Sequence, residues 1–113
     1  MCIGLDPIPE RLPKHLLKFS NPIFEFNRQI IDATSSLVCA YKPQIAFYSA
    51  CGAEDQLLLT TRYLQNHHSE IPIILDAKRG DVENTAKMYA RETFDLFGVD
   101  AVTVNPYLGF DSL

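Results

Sequence analysis

Short apolar segments alternate along this chain with longer segments of helical periodicity, and this alternation most constrains the fold. The predicted strands are residues 2–5, 40–47, 71–77 and 100–106, and the predicted helices are 22–38, 52–68 and 82–98. A helix that joins two parallel strands covers one face of their sheet. The sequence therefore predicts an α/β domain with a parallel sheet.

Local signals mark the ends of these elements. Asn21 and Pro22 are typical of a helix start, and Gly98 is typical of a helix end. The proline-rich segment 6–15 cannot form a long regular element. Because the predicted strands are continuously apolar, we expect both of their faces to be buried.

Polar residues lie at or just beyond the carboxyl ends of the predicted strands, of which 40–47 is interrupted by Pro43. They are Asp6, Lys42, Asp76 with Lys78, and Asn105. Doubly wound sheets and (β/α)8 barrels both build their sites at this edge. The chain lacks the Gly-x-Gly-x-x-Gly and Gly-Lys-Ser/Thr motifs of nucleotide-binding doubly wound sheets, so a (β/α)8 barrel is favoured.

Composition argues against several classes of protein. The net charge of −4 does not favour nucleic-acid binding. Cys2, Cys39 and Cys51 are widely spaced and odd in number, which favours buried thiols over disulfides or a zinc site. The apolar runs are far shorter than the roughly 20 residues that a membrane span needs. We expect a cytoplasmic protein.

The segment "DAKRGDVENT", residues 76–85, follows an apolar run and places an acid, a base and a second acid at spacings of two and three, as Asp76, Lys78 and Asp81. Side chains alternate along a strand, so Asp76 and Lys78 are predicted to face one ligand. A fixed ammonium group stabilises negative charge that develops in a reaction. Carboxylates beside ammonium groups favour the charged form of each. On its own, however, "DAKRGD" is more often a solvated loop with surface ion pairs.

Five segments together carry a resemblance to a known family. "LDP", "FEFNRQIIDAT", "AYKPQIAFY", "LDAKRGDVENTAKMYA" and "DAVTVNPYLG" resemble, in the same order, the bacterial-type branch of the orotidine 5'-phosphate decarboxylases. "DAKRGD" matches that family's Asp-x-Lys-x-x-Asp motif. The resemblance implies a homodimeric (β/α)8 barrel that converts orotidine 5'-phosphate to UMP and carbon dioxide in pyrimidine biosynthesis. It implies no metal and no cofactor.

The same resemblance assigns roles to three charged residues. Lys78 matches the lysine that delivers a proton to C6 of the pyrimidine. Asp76 matches the carboxylate held close to the carboxylate of the substrate, and Lys42 matches the lysine that joins the charge network and the ribose hydroxyls.

Four further residues lie at positions that bear on the site. Asp81 corresponds to the acid that reaches across the dimer interface into the partner's site, and Thr85 lies on the same crossing segment. Asp6 resembles a ribose contact at the end of the first strand, although an Asp before Pro is more often a turn former. Asn105 receives no role, and Asn105-Pro106 serves equally well as a turn signal.

Two alternatives stay open. Magnesium-dependent sugar-phosphate decarboxylases and synthases of the same superfamily share Asp-x-Lys-x-x-Asp, but they use an acid at the end of strand two, where this chain has Lys42. The other alternative is an inactive fragment that only associates. A (β/α)8 barrel takes about 250 residues and binds phosphate after strands seven and eight. We therefore expect residues 1–113 to be the N-terminal half of one barrel domain, inactive alone.

Overall fold

A computed structural model describes residues 1–110 and residue 113. The strands are β1 (Cys2–Leu5), β2 (Ala40–Pro43), β3 (Ile74–Arg79) and β4 (Ala101–Val104). The α-helices are α1 (Pro22–Thr34), α2 (Ile45–Ser49), α3 (Glu54–His67) and α4 (Glu83–Ala90). Short 3-10 turns occupy Pro9–Arg11, Lys14–Leu16 and Pro106–Leu108, and a π-helical segment, Arg91–Leu96, continues α4.

The strands are parallel and follow one another in chain order. β1 pairs with β2 from Cys2 opposite Ala40 to Leu5 opposite Pro43, and β3 pairs with β4. Two parallel bridges, Tyr41 with Ile73 and Gln44 with Asp76, join β2 to β3. The carboxyl ends of all four strands consequently lie at one edge, as the sequence predicts.

The hydrophobic core lies between the strands and the helices. Its buried strand residues include Leu5, Tyr41 and Leu75, and Ile73 is buried just before β3. Its buried helix residues include Ile23, Ile31, Leu57 and Leu64. Burial of these apolar side chains holds α1 and α3 against one face of the strand array.

A polar cluster is enclosed within this core. The Asn27 side-chain amide donates hydrogen bonds to the Tyr48 hydroxyl and to Thr60 Oγ1, each at 3.0 Å. The Tyr48 hydroxyl in turn donates to the Leu5 carbonyl at 2.7 Å. The cluster therefore connects α1, α2 and α3 to Leu5, the last residue of β1, which precedes Asp6.

The helices differ from the prediction mainly at their ends. α1 ends at Thr34 rather than near residue 38. The predicted strand 40–47 ends early, at Pro43, and its last three residues begin the short helix α2. Periodicity could not show α2, because a five-residue helix is held by the burial of Ile45 and Tyr48 rather than by its own pattern. Gly98 has φ 64° and follows the π-helical segment, which confirms the predicted helix end.

Two expectations about burial are wrong. All three cysteines are exposed, because Cys2 begins an edge strand, Cys39 precedes β2 and Cys51 follows α2. The outer strands are also not buried on both faces, since Gly4 in β1 and Val104 in β4 are exposed. In residues 1–113 taken alone, the helices cover only one face of the strand array, and residues on the other face are accessible. None of the helices in the described part of the chain is long and apolar enough to cross a membrane.

Candidate active site at the carboxyl edge of the strands

The site begins where β1 meets the end of β2. Asp6 directly follows β1, and its Oδ1 accepts a hydrogen bond from the backbone N–H of Gln44 at 3.0 Å. Gln44 directly follows β2 and forms the parallel bridge to Asp76 of β3. This chain of contacts places Asp6 and Asp76 on the same edge of the sheet.

Asp76 lies between two lysines. Its Oδ2 is 3.1 Å from Lys42 Nζ on β2, and its Oδ1 is 2.6 Å from Lys78 Nζ on β3. The Asp76 side chain is 9% exposed, whereas those of Lys42 and Lys78 are 35% and 56% exposed. The carboxylate is thus enclosed while both ammonium groups still reach solvent, where a ligand would arrive.

These contacts keep Asp76 ionised. The hydrogen bond from Lys78 lowers the pKa of Asp76 most, and the contacts with Thr103 and Lys42 lower it further. Together they bring this pKa to about 2, although burial raises it. A charge-assisted hydrogen bond favours the charged form of the acceptor. Asp76 and Lys78 are in direct contact, and it stays a prediction that both face one ligand.

β3 is irregular where it carries these residues. Leu75 pairs with Val102 and Arg79 pairs with Val104, so residues 76–78 stand opposite the single residue Thr103. Lys78 has φ 50°, in the left-handed region that residues other than glycine rarely adopt. Such strain is concentrated at functional sites, where surrounding contacts hold it.

Asn105, which directly follows β4, binds the backbone of the same irregular part of β3. Its side-chain amide donates to the Lys78 carbonyl at 3.0 Å, and its backbone N–H donates to the Arg79 carbonyl at 2.9 Å. A Cβ atom on Gly80 would lie 3.1 Å from the Asn105 carbonyl oxygen, so the close approach of the two loops favours glycine there.

The remaining two predicted site residues, Asp81 and Thr85, lie on the segment that follows β3. Asp81 is in the loop between β3 and α4, where its Oδ1 accepts the N–H of Val82 at 2.8 Å. Thr85 is in the first turn of α4 and is partly exposed. Within residues 1–110, neither side chain has a hydrogen bond or ion pair to Lys42, Asp76 or Lys78.

Sequence reasoning missed Thr103. Its hydroxyl donates to Asp76 Oδ1 at 2.8 Å, in contact with the same oxygen that Lys78 approaches. The available signal was a hydroxyl residue within the otherwise apolar run "AVTV" of β4. Threonine is common in strands, so that signal does not by itself indicate a site.

The fold and this edge define an α/β protein with a Lys-Asp-Lys charge cluster at the carboxyl ends of parallel strands. Residues 1–113 match the family described as "Orotidine 5'-phosphate decarboxylase / HUMPS family". The chain belongs to that family. This confirms the resemblance seen in the sequence.

Curated relatives carry the same description. Proteins named orotidine 5'-phosphate decarboxylase from Azoarcus sp. (strain BH72) and Janthinobacterium sp. (strain Marseille) are 53% and 54% identical to this chain over all 113 residues. The chain spans 42% of the length of each of these relatives.

Solved structures of related proteins share this fold. An OMP decarboxylase of Leishmania donovani is 37% identical, with a TM-score of 0.82 over 99% of this chain and 41% of its own. The UMP synthase of the same organism is 36% identical, with a TM-score of 0.83 over 99% of this chain and 23% of its own. The described elements are part of a (β/α)8 barrel, and the predicted fold class is confirmed.

Proposed function

We propose that the protein containing this chain decarboxylates orotidine 5'-phosphate to UMP, without a metal or cofactor. The observation that carries the proposal is the enclosed Asp76 carboxylate, with Lys42 and Lys78 on its two oxygens at 3.1 and 2.6 Å. The names of relatives that are more than half identical to the chain support the same reaction.

The charge arrangement suits the chemistry of this reaction. Loss of carbon dioxide from C6 leaves the bonding electron pair on that ring carbon, where it is poorly delocalised. An ammonium group held nearby stabilises this charge as it forms and then gives its proton to C6. Lys78 has this role in our proposal, because Asp76 holds its Nζ at a fixed point and more than half of the side chain remains accessible.

Asp76 and Lys42 prepare the site for the charge that develops on C6. Asp76 holds the Lys78 ammonium group in place through their direct contact, and Lys42 balances the charge on the second oxygen of the same carboxylate. Because these contacts exist before substrate arrives, little rearrangement is needed during the reaction. Asp76 next to the departing carboxylate would also destabilise the bound substrate, as its role in the family implies.

The other site residues complete the proposal. Asp6, at the end of β1, is proposed to bind the ribose. Asp81 and Thr85 are proposed to reach the site of a partner subunit in a homodimer. Their position on the loop and first turn after β3 supports this assignment.

We also propose that residues 1–113 form the first four strands of a single barrel domain. The chain spans 42% of relatives that it matches along its whole length. Barrels of this kind bind phosphate with the loops after strands seven and eight, so the remaining part of the domain would supply that contact. The isolated 113-residue chain is therefore proposed to be inactive.

The proposal is tested with the complete barrel protein and orotidine 5'-phosphate, by following the loss of substrate absorbance. Lys78→Ala should lower kcat by more than about 1,000-fold, because it removes both the proton donor and the stabilising charge. Lys14→Ala, which changes an exposed lysine in a 3-10 turn, is the matched control and should leave the rate unchanged.

Added EDTA separates this reaction from that of the magnesium-dependent relatives. The rate should be the same with and without the chelator, since the ammonium of Lys42 lies where such a relative would hold its cation. A wild-type protein that leaves orotidine 5'-phosphate unchanged would refute the proposed activity, and a rate lost on adding EDTA would point to the metal-dependent reaction.

The same assay tests the isolated chain. Residues 1–113 alone should show no turnover, whereas mixing them with a separately expressed remainder of the barrel should restore it. Turnover by the isolated chain would show that the phosphate contact from later strands is dispensable.

A further inference from the structure

Thr103 replaces part of the hydrogen-bond ladder between β3 and β4. The strands pair at Leu75 with Val102 and again at Arg79 with Val104, which leaves three residues of β3 opposite Thr103 alone. In a regular parallel ladder, backbone carbonyls of β4 would accept the N–H groups of β3. Here the Thr103 hydroxyl accepts those of Ala77 and Lys78, at 3.1 and 3.0 Å.

The hydroxyl of Thr103 uses its full hydrogen-bonding capacity. A hydroxyl group has one donor and two acceptor positions. Both acceptor positions are taken by the two N–H groups of β3, so the proton points to Asp76 Oδ1 at 2.8 Å. The backbone contacts therefore determine the direction in which the hydroxyl donates.

These contacts meet at Lys78, the site residue that has an unfavourable backbone conformation. Lys78 has φ 50°, a conformation that costs free energy for a residue with a Cβ atom. Thr103 binds its N–H, Asn105 Nδ2 binds its carbonyl at 3.0 Å, and Asp76 binds its Nζ. The backbone of Lys78 is thus held on both sides by residues of β4 and the segment that follows it.

We propose that Thr103 is a positioning residue that holds Lys78 in its left-handed conformation and orients the Asp76 carboxylate toward the Lys78 ammonium group. Asn105 assists by binding the carbonyl group of the same residue. The inference rests on the proposed function, because it assigns to Thr103 the placement of the two groups that would face C6 of the substrate.

Asp76 Oδ1 shows why the contact matters for chemistry as well as for folding. This oxygen meets both the Thr103 hydroxyl and Lys78 Nζ, so the hydroxyl limits rotation of the carboxylate away from the lysine. The same hydrogen bond helps to lower the pKa of Asp76. Valine has the shape of threonine but cannot donate to the carboxylate or accept the two N–H groups.

The test compares Thr103→Val and Thr103→Ser in the complete barrel protein. Thr103→Val should lower kcat by about 10- to 100-fold, the range expected for losing a hydrogen bond to a charged group, while KM changes by less than about threefold. Thr103→Ser keeps the hydroxyl and should remain within about threefold of wild type. Thr61→Val is the matched control, because the hydroxyl group of the buried Thr61 donates to the Leu58 carbonyl within its own helix, α3. This variant should keep the wild-type kcat.

Crystal structures of both Thr103 variants give a readout that does not depend on activity. In Thr103→Val the Lys78 backbone should leave the left-handed region and Lys78 Nζ should move away from Asp76 Oδ1, whereas Thr103→Ser should keep both features. Thr103→Ala replaces the valine variant if the latter does not fold.

The outcomes separate the two proposals. A wild-type protein without decarboxylase activity refutes the proposed function, and the variant structures still decide whether Thr103 positions Lys78. A valine variant with wild-type kcat and unchanged Lys78 geometry overturns the inference. So does a serine variant that is as slow as the valine variant.

Discussion

The enclosed Asp76 carboxylate should make a pH-dependent contribution to stability that Asp76→Asn removes. Lys78, Thr103 and Lys42 lower its pKa from 3.8 to about 2. One unit of pKa corresponds to about 1.4 kcal/mol, so ionised Asp76 should stabilise the folded protein by about 2 kcal/mol at neutral pH. An asparagine at this position resembles the protonated acid and lacks that contribution.

The direction of the pH dependence follows from the lowered pKa. The contribution is fully present above the unfolded-state pKa of 3.8 and is lost as pH falls toward about 2. The free energies of unfolding of wild type and Asp76→Asn should therefore differ by about 2 kcal/mol at pH 6, and roughly half of that difference should remain at pH 3. Other groups that titrate in this range affect both proteins and cancel in the difference.

Urea unfolding of the complete barrel protein, at several pH values between 6 and 2.5, measures this difference. Protein concentration is held constant, because subunit association would change the apparent stability. Asp95→Asn is the matched control, since Asp95 is exposed and lies 4.0 Å from Arg91 in a surface pair that adds little. A difference between wild type and Asp76→Asn that stays constant from pH 6 to 2.5 would refute the reasoning.

Two predictions concern the core that supports the site. Asn27→Ala removes buried hydrogen bonds to Tyr48 and Thr60, so it should lower the free energy of unfolding in urea titrations by about 2 to 3 kcal/mol. The control Asn66→Ala changes an exposed residue and should have little effect. Equal effects of the two variants would contradict the role given to the buried cluster. Leu57→Ala should lower the free energy of unfolding by about 2 to 5 kcal/mol, because Leu57 is fully buried and its truncation leaves a cavity. Leu59→Ala, on the same helix, should lower it much less, because Leu59 is exposed. Thermal unfolding of the two leucine variants checks the order, and a larger loss for Leu59→Ala would show that the described core is wrong.

Much of the fold could be predicted because its signals are local. Apolar runs of strand length alternate with segments of helical period, and Gly98 marks a helix end through its own backbone conformation. The helix α2 could not be predicted in this way. Its five residues are too few for a periodic pattern, and it is held by Ile45 and Tyr48, which pack into a core made by distant segments.

The sequence also did not predict burial correctly at several positions. The three cysteines have the composition of core residues but lie at the ends of elements, where they meet water. Gly4 and Val104 belong to apolar strands and are exposed in residues 1–113 taken alone, where helices cover only one face of these strands. Whether an apolar residue is buried depends on what lies across from it, which is a property of the tertiary structure.

The site divides in the same way. The order of residues alone predicted that Asp6, Lys42, Asp76 and Lys78 lie near the carboxyl ends of successive strands, and parallel strands must bring these ends to one edge. Only the tertiary structure showed that the Thr103 hydroxyl replaces backbone hydrogen bonds between β3 and β4 opposite residues 76–78. It also showed that Lys78 adopts a left-handed conformation. The physical reason is that an irregular register and its hydrogen bonds arise between two strands, and neither strand carries a pattern that specifies them by itself.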